Sequence, residues 1–69
     1  MSYKRRKVLR ALNRRGFIVA REGGEHTIVR DSAGRQIAVP RHSELNRRTV
    51  RGMAQDAEVP WEEFRKEVS

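Results

Sequence analysis

The first part of the chain carries apolar side chains at helical spacing between basic ones. In residues 3–16, YKRRKVLRALNRRG, Val8, Leu9 and Leu12 form an i, i+1, i+4 stripe that is typical of an amphipathic helix. Gly16 follows the last basic residues and can adopt the left-handed conformation that often ends a helix. The pattern therefore predicts a helix over residues 3–16.

The middle of the chain changes to short β-branched runs separated by turn residues. Residues 17–21, 27–30 and 36–39 predict three strands. Gly23-Gly24 and the segment 31–35, DSAGR, have the composition of tight turns. Because such short connections cannot join parallel strands, the three strands are expected to form an antiparallel meander.

Helical spacing returns in residues 44–57, ELNRRTVRGMAQDA. The apolar positions at i, i+3, i+4 and i+7 are Val50, Met53, Ala54 and Ala57. Asn46 or Thr49 is the expected N-cap, and Gly52 is expected to mark a close packing contact. These residues predict the second main helix.

Pro60 is expected to start a short third helix, since proline is favoured in the first turn. Trp61, Phe64 and Val68 would form its apolar side. The simpler interpretation places this stripe in the core, and the alternative makes it part of a surface that docks a partner protein.

The predicted order is α-β-β-β-α-α within a single domain over residues 1–69. A three-stranded antiparallel sheet would bury the apolar stripes of both main helices on one face. The fold class is therefore expected to be α+β, an α-β-β-β-α-(α) sandwich.

Charge is distributed unevenly and adds a functional indication. The formal net charge is +7, and residues 1–21 hold eight Lys or Arg and no acid. A basic surface of this kind suits a polyanion, most often nucleic acid, although it is also compatible with a merely well-solvated surface. No cysteine is present and no apolar run is long enough to span a membrane, so we expect a soluble, cytoplasmic protein. No Cys/His cluster offers a structural zinc site, and we expect no metal or other cofactor.

One histidine stands where chemistry is plausible. His26 follows Gly23-Gly24 in EGGEHTIVRD, residues 22–31, where the glycines would let a phosphate backbone approach closely. Imidazole has an unperturbed pKa near 6.5, which suits a general base for attack of an RNA 2′-OH on the adjacent phosphate. Arg21 or Arg30 could neutralise the transition state. From the residues alone, a turn histidine without a chemical role remains the simpler interpretation.

Other candidates surround this histidine with less definite roles. Glu25 could orient His26 or carry a proton, but an exposed turn residue is the simpler interpretation. His42, in VPRHSEL, could act as a phosphate contact or an acid, or have only a loop or capping role. The candidates for holding the RNA backbone are Lys7, Arg10, Arg14, Gly23, Gly24, Arg47, Arg48 and Arg51.

Three motifs in this order resemble the HicA family of toxins, which are the RNA-cleaving partners of HicB antitoxins. The motifs are Gly23-Gly24-Glu25-His26, Val39-Pro40-Arg41-His42 and Arg48-Thr49-Val50-Arg51. The resemblance spans roughly residues 4–66. It implies a fold like a double-stranded-RNA-binding domain, a metal-independent mRNA endonuclease (an mRNA interferase) with His26 as its catalytic residue, and a HicB-like antitoxin that covers the site.

Two other functions remain open at this point. A double-stranded-RNA-binding module without catalysis would have the same element order and basic charge, but it would not need His26 beside two glycines. A protein-interaction domain would carry its charge incidentally, and it would fail to bind RNA at moderate salt.

Overall fold

A computed structural model describes residues 2–69. Eight elements follow one another along the chain: β1 (Ser2–Lys4), α1 (Arg5–Arg14), β2 (Ile18–Gly23), β3 (His26–Arg30), β4 (Gln36–Pro40), β5 (Glu44–Asn46), α2 (Arg47–Asp56) and α3 (Trp61–Val68). The architecture is α+β with three helices, and the predicted order α-β-β-β-α-α is confirmed.

The predicted meander is the three-stranded antiparallel sheet β2-β3-β4. Thr27 lies opposite Val39, and Val29 lies opposite Ile37. All four side chains are buried, whereas their neighbours along the strands are more exposed. One face of β3 and β4 therefore packs into the core, as the alternation predicted.

Both predicted helix stripes contribute to the core. α1 buries Val8, Ala11 and Leu12, and α2 buries Val50, Met53 and Ala54. Phe17, which follows the first helix, is also buried. Gly16 has a φ of 93°, so it ends the helix in the left-handed conformation expected of it.

A second, two-stranded sheet was not predicted. β1 pairs antiparallel with β5, and Tyr3 lies opposite Leu45. Both side chains are buried, so each three-residue strand presents one apolar residue to the core. As a result α1 begins at Arg5 and α2 at Arg47, two and three residues later than predicted.

Two expectations for the second helix had opposite outcomes. Asn46 is the N-cap, and its Oδ1 accepts a hydrogen bond from the Thr49 backbone N–H at 2.8 Å. The expected close contact at Gly52 is wrong, because outside its own helix no atom lies within 4 Å of where a Cβ would be. Space therefore does not require glycine at this position.

The third helix closes the core. Phe64 and Val68 are fully buried, which confirms their predicted core role, and Trp61 is half-buried. The Trp61 ring meets the Tyr3 ring edge-on at 5.8 Å. Across the α1–α3 contact, the Arg15 guanidinium pairs with the carboxylates of Glu63 and Glu67. No helix within residues 2–69 has the length and apolar character needed to cross a membrane.

Candidate functional site

Both histidines lie at one end of the three-stranded sheet. β3 begins at His26 and β4 ends at Pro40, and these two residues face each other across the strands. Beyond the pair, the Arg41 backbone N–H donates to the Glu25 carbonyl oxygen at 3.2 Å. This contact holds the segment after β4 against the turn before β3. His26 and His42, which are 16 residues apart in the sequence, are thereby brought to the same end of the sheet.

The result is an open depression with a volume of about 330 Å³. It is lined by Gly24, Glu25, His26, Pro40, Arg41 and His42. The structure thus brings together four predicted site residues, and it adds an arginine that the sequence analysis did not select.

The turn that carries His26 depends on its glycines. Gly23 has a φ of 151° and Gly24 a φ of 61°, both in the region that side chains other than glycine rarely adopt. No other atom lies within 4 Å of either Cβ position, so backbone conformation and not crowding requires glycine here. The missing side chains also leave the turn accessible to a large ligand.

A hydrogen-bond chain runs directly behind this depression. The Arg5 guanidinium donates to the Pro40 carbonyl oxygen at 2.8 Å and to the Thr27 hydroxyl oxygen at 2.6 Å. The Thr27 hydroxyl in turn donates to the Glu22 carboxylate at 2.7 Å. Since Thr27 is buried and follows His26 directly, the chain fixes the strand end that presents the imidazole.

Glu22 completes the chain by pairing with the Arg41 guanidinium. The hydrogen bond from Thr27 is the main cause of the lowered pKa of Glu22, and the positive charges of Arg41 and Arg5 add to it. The Glu22 carboxylate therefore remains ionised at neutral pH and holds Arg41 beside the histidines.

Sequence reasoning did not identify this network. Arg5 lies 22 residues from Thr27 and 35 from Pro40, so no local pattern connects them. An arginine at the start of α1 and a threonine on the inward face of β3 are each ordinary in isolation.

The histidine and glutamate side chains of the depression are free to meet a ligand. His26, His42 and Glu25 are all exposed, and none makes a side-chain hydrogen bond or ion pair within residues 2–69. The structure therefore shows no contact by which Glu25 would orient His26. In the same residues, no three His, Cys, Asp or Glu side chains are close enough to hold a metal ion.

The predicted backbone-binding residues fall on separate surfaces. Gly23 and Gly24 belong to the turn beside His26, and Arg10 and Arg14 are exposed on α1. Lys7 is half-buried, and its Nζ donates to the Ser69 carbonyl oxygen at 3.3 Å near the end of α3. The α2 arginines, Arg47, Arg48 and Arg51, line a different groove that includes Trp61.

Comparison with known proteins identifies the family. A search of curated proteins gave no significant match. The family model described as the HicA toxin of bacterial toxin–antitoxin systems matches residues 5–59. The matched region starts at the first residue of α1 and covers the whole three-stranded sheet, the His26 depression and α2. Since this region includes most of the 69 residues, the chain belongs to the HicA family of toxins.

Proposed function

We propose that this toxin is a metal-independent endoribonuclease that cleaves mRNA with His26 as its general base. The observation that supports this most strongly is the open depression that contains both histidines and Arg41, in a member of a toxin family. Two imidazoles at one accessible site offer a proton acceptor and a proton donor to the same phosphodiester.

The proposed reaction is an internal transesterification of RNA. His26 removes the proton of a 2′-OH, whose oxygen then forms a bond to the adjacent phosphorus. The bond between phosphorus and the 5′ oxygen of the next nucleotide breaks, and His42 gives that oxygen its proton. The products are a 2′,3′-cyclic phosphate and a free 5′-OH, so atoms and charge balance without a water molecule. Each proton transfer of this kind contributes typically about 10²–10⁴-fold.

The surroundings of His26 supply the other requirements of this reaction. The Arg41 guanidinium, held in place by Glu22, is the cation of the depression and would neutralise charge on the phosphorane. Gly24 leaves space for the sugar–phosphate backbone beside the imidazole. Because Arg5 and Thr27 fix the backbone on both strands, the histidines need little rearrangement when RNA binds.

A toxin of a toxin–antitoxin system has an antitoxin partner. We propose a HicB-like protein that covers the depression and so excludes RNA from His26. Exposed imidazoles in a shallow site are accessible to a partner's segment as readily as to a nucleic acid.

Two oligonucleotides of one sequence test the reaction. One is RNA, and in the other every 2′-OH is replaced by hydrogen. The purified protein in excess EDTA should cut only the RNA, and mass spectrometry of the fragments should find 2′,3′-cyclic phosphate and 5′-OH ends. RNA that is bound but remains uncut would contradict the proposal and support the non-catalytic RNA-binding module. Cleavage of both oligonucleotides would exclude attack by the 2′-OH.

A further inference from the structure

A second groove lies between α2 and α3, away from the histidines. Its volume is about 760 Å³. It is lined by Arg47, Arg48, Arg51, Gly52, Ala54, Gln55, Val59 and Trp61. It shares no lining residue with the His26 depression. The proposed reaction does not use it.

The three arginines of this groove are not in salt bridges in the described part of the chain. Within residues 2–69, none of them forms an ion pair or a side-chain hydrogen bond. Other guanidiniums are paired: Arg15, Arg35, Arg41 and Arg65 each contact a carboxylate. Three unpaired cations within two turns of one helix repel each other, so the groove favours an anionic ligand.

Trp61 holds two of these arginines without occupying their donors. The guanidinium carbons of Arg47 and Arg51 lie 5.9 Å and 5.8 Å from the centre of the Trp61 ring. A cation–π contact of this kind uses the face of the guanidinium and leaves its N–H groups free. Those N–H groups can then bind phosphate oxygens in pairs.

The acidic residue that follows Trp61 in the sequence, Glu62, already has a partner. Glu62 accepts a hydrogen bond from Arg65 at 2.8 Å, which is the main cause of its lowered pKa, and Arg47 contributes least. The salt bridge of Glu62 is therefore formed with Arg65, and no arginine of the groove forms one with α3 within residues 2–69.

The groove also depends on an element beyond the matched family region. The family match ends at residue 59, whereas Trp61 belongs to α3. Trp61 and the rest of α3 therefore lie outside the region that the family model matches.

We propose that the groove of Arg47, Arg51 and Trp61 binds the phosphate backbone of the RNA substrate, remote from the cleaved bond. This inference rests on the proposed function. In this arrangement one RNA contacts the toxin at two sites. α2 and α3 hold one segment of the RNA while another segment reaches His26. Phosphate contacts of this kind add affinity and position without sequence preference.

An acidic protein segment fits the groove less well than RNA. Three of the eight residues that line the groove are arginines, whereas the apolar lining residues Ala54 and Val59 are buried. The centre of a protein–protein interface is usually depleted of charge and rich in apolar contact. An RNA phosphate backbone needs only the N–H donors of the guanidinium groups.

The salt dependence of RNA binding tests this proposal. Binding of a labelled single-stranded RNA is measured in a His26→Ala background, so that the RNA stays intact. The double variant Arg47→Gln/Arg51→Gln should weaken binding and reduce the slope of log K against log salt concentration by about 1.4, since each lost contact to a single strand contributes about 0.7. The control double variant Arg6→Gln/Lys66→Gln removes the same charge from exposed positions of α1 and α3 outside the groove and should leave the slope near that of the parent.

Trp61 gives an independent readout, because it is the only tryptophan of the chain. RNA should change its fluorescence in the parent and not in Arg47→Gln/Arg51→Gln. Poly-glutamate of equal charge serves as the competing ligand. A fluorescence change with poly-glutamate and none with RNA would overturn the proposal in favour of a protein-docking surface.

Failure of this inference can be distinguished from failure of the proposed function. Equal slopes of log K against log salt concentration for the parent and for Arg47→Gln/Arg51→Gln would refute RNA binding by the groove. This holds even if the protein that retains His26 cleaves RNA. If the protein that retains His26 binds RNA through the groove but does not cleave it in EDTA, the nuclease proposal is refuted and the RNA-binding site is supported.

Discussion

At the residue scale, Thr27 connects the core to the candidate site. Its hydroxyl accepts from Arg5 and donates to Glu22, and the side chain is almost completely buried. Valine has nearly the same shape but can make neither hydrogen bond. Thr27→Val should therefore reduce the free energy of unfolding by about 1.5–3 kcal/mol, the range for hydrogen bonds to charged groups, as measured by urea denaturation. It should also slow RNA cleavage.

Thr49→Val is the matched control for this change. The Thr49 hydroxyl makes no hydrogen bond within the part of the chain that the structure describes. The control should lose less than about 0.5 kcal/mol, as expected for a substitution that removes no specific interaction. Equal losses for the two variants would show that the Arg5–Thr27–Glu22 chain adds nothing to stability.

The sequence indicated the two histidines of the candidate site but not the hydrogen-bond network behind them. His26 and His42 could be chosen as candidates from the sequence because the chain has few histidines and both lie beside turn residues. Their meeting at one depression depends on the pairing of His26 with Pro40, which are the residues just beyond the predicted strands 27–30 and 36–39. Thr27 and Glu22 gave no signal, because a hydrogen bond to a distant arginine leaves no periodic pattern.

At the element scale, α3 lies outside the matched family region yet completes the core. Phe64 is fully buried among residues of the hydrophobic core. Phe64→Ala should reduce the free energy of unfolding by about 3–5 kcal/mol, because it removes a large buried ring and leaves a cavity. For a chain of this length the total is roughly 3–10 kcal/mol, so the variant should be partly or wholly unfolded near 37 °C by circular dichroism.

The exposed Glu62 of the same helix provides the comparison. Glu62→Ala removes one surface ion pair with Arg65 and should change stability by less than about 1 kcal/mol. A cooperative unfolding curve for Phe64→Ala that matches the parent would mean that α3 is not part of the folded unit.

The N-cap of α2 makes a second prediction at this scale. Asn46 Oδ1 accepts from the Thr49 backbone N–H, and Asn46→Ala should cost about 1 kcal/mol by removing that acceptor. Asn46→Asp retains an acceptor and should recover most of the loss in urea denaturation. No recovery with Asp would assign the effect of Asn46 to its place in β5 and not to capping.

Local pattern predicted every element longer than three residues and missed the two shortest. β1 and β5 contribute one buried side chain each, Tyr3 and Leu45, so neither strand shows an alternation that can be recognised. Their pairing joins residues about 42 positions apart, which no local pattern indicates. Both segments were therefore assigned to the starts of the helices that follow them.

At the scale of the whole molecule, the free energy of unfolding should decrease at acid pH. Burial by itself would raise the pKa of Asp31, but hydrogen bonds from the Arg35 backbone and guanidinium and from the Ala33 backbone lower it overall. The pKa of Glu22 is also lowered, as described above. Carboxyls of the unfolded chain titrate near pH 4, so the unfolded state binds protons first as the pH falls. Stability should be complete above about pH 5 and decline as the pH falls through 4 towards the lower folded values.

Urea midpoints between pH 7 and pH 3 measure this dependence. Asp31→Asn should be less stable than the parent at pH 7 and should lose less on acidification. Asp56→Asn is the control, because the Asp56 carboxylate makes no ion pair or hydrogen bond within residues 2–69. A parent protein that gains stability on going from pH 5 to pH 3 would contradict the proposed sign.

The proposed role of His26 as the general base of this toxin can be tested by the rate of RNA cleavage in EDTA. Single-turnover rates are compared for the parent, His26→Ala and His42→Ala, with thermal unfolding to show that each variant is folded. We expect His26→Ala to lower the cleavage rate by about 10²–10⁴-fold while RNA binding is retained. A folded His26→Ala protein that cuts RNA at the parent's rate would contradict the catalytic role of His26.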